Sequence, residues 1–227
     1  MTLALTPHYN LLLGGSMESK PEVIFDYCKE MGTTFCLPHQ GITDALLDKR
    51  AGIVRDLDRH TCLIRERGMV PGVSTHAPET VIYAARQQAD VKAYIQIYNA
   101  AGFHMPVEVE WAVHIIRHAQ EPVLAIEPLT AACLGPAMGL TFVWKTLRDS
   151  NLVSVDTTTL KEAEEVISIS LAYLARRAPE VQLQVTHSKK ALVDSWHGTR
   201  RTHMSGRRHA RVRILAENAT RAMRSVL

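Results

Sequence analysis

Short runs of β-branched and aliphatic residues alternate along this chain with longer stretches whose apolar positions recur at helical spacing. Tyr9 to Gly14 (YNLLLG) reads as a buried strand, and Pro21 to Met31 as a helix that Gly32 ends as a C-cap residue should. Thr33 to Leu37 is the next strand, followed by one long helix from about Asp44 to Arg67, with Ile53, Leu57 and Ile64 near helical spacing. Val70 to Ser74 is a strand, and Pro78 opens a helix to about Gln88, since proline is tolerated in a first turn. Ala93 to Tyr98 is a strand and Val107 to His118 a helix, with Val109, Val113 and Ile116 on one face. Pro122 to Ile126 then Leu140 to Arg148, and Leu152 to Val155 then Lys161 to Ala175, complete six strand-then-helix units.

Strands alternating with helices imply a parallel sheet, because parallel neighbours need a crossover connection. A doubly wound sheet and a barrel both satisfy the pattern. No G-x-G-x-x-G follows any strand, which weakens a dinucleotide-binding doubly wound fold. Polar residues follow nearly every strand, where barrel enzymes place their sites. These are Ser16 and Glu18, His39 and Gln40, Ser74 and His76, Gln96 and Asn99, Glu127, and Asp156 and Thr157. The expected fold is α/β, a TIM-type barrel that is incomplete or atypical, over residues 1–186.

Composition changes this picture only at the end of the chain. With 46% hydrophobic and 22% charged residues in 227, the chain is ordinary for a globular protein with one large core. Residues 187–227, however, hold ten Lys or Arg against Asp194 and Glu217, a balance of +8 that leaves −5 for the rest. A basic segment of this density can meet nucleic acid, but Trp196 is the one aromatic among its charges, so a solvated extension is favoured. Its last stretch, Val212 to Leu227, places Val212, Leu215, Ala219, Met223 and Val226 at helical spacing. That amphipathic helix is expected to cover part of the barrel or a second subunit, in a homo-oligomer.

No apolar run approaches the roughly 20 residues of a membrane span, so no membrane partner is expected. The start Met1-Thr2-Leu3-Ala4-Leu5 carries no basic leader. Cys28, Cys36, Cys62 and Cys133 form no C-x-x-C pair and read as buried free thiols of a cytoplasmic protein.

The strand ends carry wording similar to the aldo-keto reductases. Phe35-Cys36-Leu37-Pro38-His39-Gln40 resembles that family's fourth strand, which finishes in its active-site histidine. Gly72-Val73-Ser74-Thr75-His76 resembles its G-V-S-N, and Tyr94 to Asn99 its N-Q-x-x-Y-N. Ile126-Glu127-Pro128-Leu129 resembles Y-S-P-L, and Val153 to Val166 resembles the last strand with its phosphate-binding helix. The likeness runs in order over about residues 9–175 and begins at what resembles the third strand.

The resemblance implies an NADP-dependent reductase, and the departures argue against one. The family's catalytic Asp and Tyr positions are absent, and Leu13 or Gly14 stands near that of its Lys. Ser74 and Gln96 match the residues that hold the nicotinamide carboxamide, but Ile126 stands where an aromatic ring would stack. Asp156 replaces a glycine beside the diphosphate, Thr158 and Thr159 replace a basic pair, and Val166 replaces an asparagine. Two like charges about 4 Å apart repel by roughly 1 kcal/mol in water and by more when desolvated.

His39 is therefore the leading acid/base candidate, a rim histidine held by hydrogen bonds being the competing reading. His76, Glu18 and Glu127 would assist it. Ser16, Ser74, Gln96, Tyr98, Asn99, Asp156 and Thr157 would contact substrate. Ser16 lies in no G-x-S-x-G, and a packed rim aromatic is the favoured reading of Tyr98 over an acid in the pocket. Two imidazoles and a carboxylate could hold a divalent metal at this mouth, but no H-x-H or H-E-x-x-H supports one, so no cofactor is expected. His60, His104, His114 and His118 read as surface residues. The expected function is a small-molecule enzyme with general acid/base or hydrolytic chemistry. A residual NADP-dependent oxidoreductase and a non-catalytic binding protein are the alternatives.

Overall fold

The structure, a computed structural model, describes residues 3–7 and 20–179. The strand expected at 9–14, Ser16, Glu18 and the extension 187–227 with its terminal helix lie outside the described residues.

Nine short strands and seven helices follow one another in the described chain. β1 (Ala4–Leu5) pairs in parallel with β2 (Phe35–Cys36), and β2 with β5 (Val70–Pro71). β6 (Val73–Thr75), β7 (Tyr94–Ile97), β8 (Val123–Ile126) and β9 (Leu152–Val153) are also parallel, in that order. Only Gly72 separates β5 from β6, and the backbone runs through it. Val70, Gly72 and Ser74 donate their N–H groups to Thr34, Cys36 and Pro38 on one side. On the other, Val73 N–H reaches Ala93 O and Pro71 O accepts from Lys92. Residues 70–75 therefore act as one central strand, and the parallel sheet is continuous from β1 to β9. Each end strand has a partner on one side only among the described residues.

Every crossover carries a helix, as the alternating pattern requires. α1 (Pro21–Glu30) follows β1, α4 (Glu79–Arg86) follows β6 and α5 (Val109–His118) follows β7. α6 (Pro136–Thr146) follows β8, and α7 (Leu160–Leu174) follows β9. The described chain holds a strand that the sequence pattern did not mark. Ala4–Leu5 pairs with β2, although two residues are too few to show a period.

The single helix expected over 44–67 is two, α2 (Gln40–Leu46) and α3 (Leu57–Glu66). Between them β3 (Leu47–Asp48) and β4 (Ile53–Val54) form an antiparallel hairpin. Asp48 turns the chain, its Oδ1 accepting from Arg50 and Ala51 N–H at 3.1 and 2.9 Å. Gly52 supplies a left-handed residue at φ 68°. Gln87 then clasps the hairpin, accepting from Val54 N–H at 2.7 Å and donating to Val54 O at 3.1 Å. Ile53 points outward as a result, while Leu57 and Ile64 stay in the core.

Because successive side chains on a strand point to opposite faces, each strand feeds two apolar layers. Phe35, Leu37, Val70 and Ile95 form the inner layer, with Leu124 and Ile126 against it. Cys36, Val73, Tyr94, Tyr98, Val123 and Ala125 face the helices. Two of the four thiols, Cys28 and Cys36, are buried as expected, and Cys62 and Cys133 are exposed. No helix among the described residues is long and apolar enough to cross a membrane.

His60 is not on the surface. It is 5% exposed, edge-on to Phe25 between α1 and α3, with ring centroids 6.3 Å apart. Burial holds its imidazole below the usual histidine range, so the folded protein prefers it neutral. The unfolded chain binds that proton more readily, so His60 favours folding fully above about pH 6.5 and loses that contribution as pH falls below it. Urea denaturation at pH 7.5 and pH 5.5 should show a drop in stability that is smaller in His60→Gln. One group can contribute at most about 1.4 kcal/mol per pH unit. An equal drop in both proteins would refute this role.

Candidate functional site

Parallel strands finish on the same side of a sheet, so their following loops gather at one mouth. The loops after β8 and β9, with the first turns of α6 and α7, enclose a cavity of about 470 Å3. That volume suits a small molecule. Leu129, Val155 and Val166 supply apolar wall, and Glu127, Asp156, Thr157, Glu162 and Glu165 supply polar groups. Among the described residues no Lys or Arg lines it.

The loop after β8 holds an unusual backbone. Glu127, Thr130, Ala131 and Ala132 all have positive φ, at 58°, 54°, 50° and 66°. Such residues without glycine cost about 1–2 kcal/mol each, so the surroundings must hold them. Thr130 N–H bonds Glu127 O, Cys133 N–H bonds Thr130 O, and Leu134 N–H bonds Leu129 O, each at 3.1 Å. α6 closes on the loop from outside, where a Cβ on Gly139 would lie 2.5 Å from Pro128 O. No Gly or Asn marks this left-handed turn in the sequence, so pattern reading has nothing to find.

The first turn of α7 is closed by its own side chains. Thr159 Oγ1 accepts from Glu162 N–H at 3.2 Å, while Glu162 Oε2 accepts from Thr159 N–H at 3.3 Å, a reciprocal capping box. The same Oε2 accepts from Thr158 N–H at 2.8 Å and Thr158 Oγ1 at 2.9 Å. These bonds, led by the Thr158 amide, hold the Glu162 carboxyl below its usual range. A helix N-terminus attracts anions, and here the chain's own carboxylate already takes that place. Asp156 and Glu165 line the cavity beside it.

The histidines stand elsewhere on the rim. His39 follows β2, and its Nδ1 accepts from Gly41 N–H at 3.1 Å as the N-cap of α2. The proton of the neutral ring is thereby assigned to Nε2. His76 follows β6, and its backbone N–H donates to Asp44 Oδ2 at 3.1 Å. Asp44 Oδ1 also accepts from Thr75 Oγ1 at 2.5 Å, so this α2 carboxylate ties the two strand ends together. Sequence reading passed over Asp44, because no spacing rule links it to a strand in another unit.

The cavity therefore brings together Glu127, Asp156 and Thr157, while His39 and His76 do not line it. Ser74 is buried on the same strand face as Val70. Tyr98 points to the helices, its hydroxyl donating to Thr146 Oγ1 at 2.7 Å and its ring 5.1 Å from that of Phe142. Gln96 shares that face, its Nε2 donating to His76 O at 3.0 Å. The motif it resembles, Q-x-x-Y, has two residues between Gln and Tyr. Here only Ile97 intervenes, and one residue of register turns a side chain to the opposite face. Asn99 organises its own loop, Oδ1 accepting from Ala101 and Phe103 N–H at 3.2 and 2.8 Å. Among the described residues no three His, Cys, Asp or Glu side chains gather to hold a metal ion.

Set against protein-family models, curated proteins and solved structures, the chain finds no match.

Proposed function

We propose that this chain is a small-molecule enzyme on part of a TIM-type barrel resembling the aldo-keto reductases, working without nicotinamide redox chemistry. The observation that carries this reading is Glu162, whose carboxylate takes three donors of the α7 turn, the Thr158 and Thr159 N–H groups and the Thr158 hydroxyl, that a phosphate would need. The substrate is a neutral or cationic small molecule that is held in the cavity after β8 and β9 and extends across the rim towards His39, since carboxylates line the cavity and, among the described residues, no basic side chain does. General acid/base or hydrolytic chemistry is centred on His39, whose Nε2–H polarises the substrate by donating a hydrogen bond, with His76 and Glu127 assisting in proton transfer. Among the described residues the sheet has two edge strands that a homo-oligomer would cover. Exposed free thiols at Cys62 and Cys133 suit a reducing cytoplasm.

Titration of the purified protein with NADPH, followed by cofactor fluorescence, separates this reading from a residual oxidoreductase. No binding is expected up to millimolar cofactor, and micromolar binding would restore the reductase. In an assay that has detected turnover, His39→Asn keeps a cap acceptor for α2 while removing the ring. Its kcat should fall about 100-fold or more, the usual scale of general acid/base catalysis. Unchanged kcat would remove His39 from the chemistry.

A further inference from the structure

A second chemical feature lies apart from those strand-end loops, on the outer surface of α5. His114 and His118 are four residues apart, so one helix face presents both imidazoles. Both are exposed, and their ring centroids are 4.3 Å apart with 37° between the planes. His118 Nδ1 lies 2.7 Å from His114 O. A carbonyl can only accept, so that nitrogen carries the proton and the neutral ring keeps its lone pair on Nε2. Metal-binding histidines are oriented in this way, by the other nitrogen donating to a carbonyl or carboxylate.

We infer that His114 and His118 form a two-nitrogen site for a borderline divalent transition-metal ion such as Zn2+, Ni2+ or Cu2+. Metal–nitrogen distances of roughly 2.0–2.1 Å require the two nitrogens about 3–3.5 Å apart, within reach of rings this close. Imidazole suits these ions better than Mg2+ or Ca2+, which prefer oxygen. No third His, Cys, Asp or Glu side chain joins the pair among the described residues, so water completes the coordination. The groove between α4 and α5 opens beside them, with Arg86 and Gln120 among its lining. Arg86 and Arg117 are exposed cations, and solvent screens their repulsion of the ion. The fold already fixes the rings on one helix face, so less ordering is needed on binding.

Trp111 provides a local reporter, being exposed with its ring 6.0 Å from that of His114. Cu2+ quenches a nearby indole, so the full chain is titrated with Cu2+ at pH 7.5 while tryptophan emission is followed. Part of the quench should saturate and be missing in Trp111→Phe, which separates it from effects on Trp144 and Trp196. In His114→Ala and in His118→Ala the Trp111-dependent part should need at least about tenfold more Cu2+, because each removes one of two linked nitrogens. Both rings are exposed, so neither change threatens the fold. A Trp111-dependent quench of unchanged midpoint in both variants would overturn the site, as would the absence of any such quench.

Discussion

The close approach of three strands at Gly72 is the constraint on which the remaining structure depends. A Cβ there would sit 2.6 Å from Leu37 Cδ2 and 2.7 Å from Ala93 O. Leu37 belongs to the strand on one side of residues 70–75, and Ala93 leads into the strand on the other. Without a side chain at residue 72, Leu37 fills the inner layer and the central strand pairs on both sides. The six parallel strands then form one surface, and their loops collect at one mouth.

From that continuous sheet follows the division between packing and chemistry. Residues within a strand are assigned to a layer by parity, so Thr75, Gln96 and Tyr98 bond helices or neighbouring backbone. Residues past the strand ends escape parity and are placed by their loops. The left-handed turn at 130–132 and the self-capped start of α7 shape the cavity that Glu127, Asp156 and Thr157 line. The capping carboxylate gives that cavity its electrostatic character, because it saturates donors that would otherwise favour a phosphate. The two histidines of α5 belong to the outer surface and owe their arrangement to helix period alone.

Much of the architecture was legible in the sequence for simple reasons. Apolar runs separated by helical periods marked the units from Pro21 onward, and Gly32 ends α1 at φ 75° as expected. What escaped was set by contacts between distant residues. Gln87 clasping Val54 holds a hairpin where helical spacing continued on paper. The two residues of β1 are a strand only because β2 lies beside them. His60 is buried because α1 lays Phe25 against it. In the candidate site, the carboxylates at 127 and 156 could be located from strand ends, whereas the side Gln96 faces turned on one residue of register. Asp44 could not be found by any local pattern.

The central claim, a single sheet made continuous by the space at residue 72, is tested most directly by the stability of Gly72→Ala in chemical denaturation. Removing a glycine from a strand interior should ordinarily stabilise by about 0.5–1 kcal/mol. Here the added methyl must displace Leu37 or the Ala93 carbonyl, and a net loss of about 1–3 kcal/mol is expected. A variant as stable as the parent, or more so, would contradict the close three-strand approach and the continuity built on it.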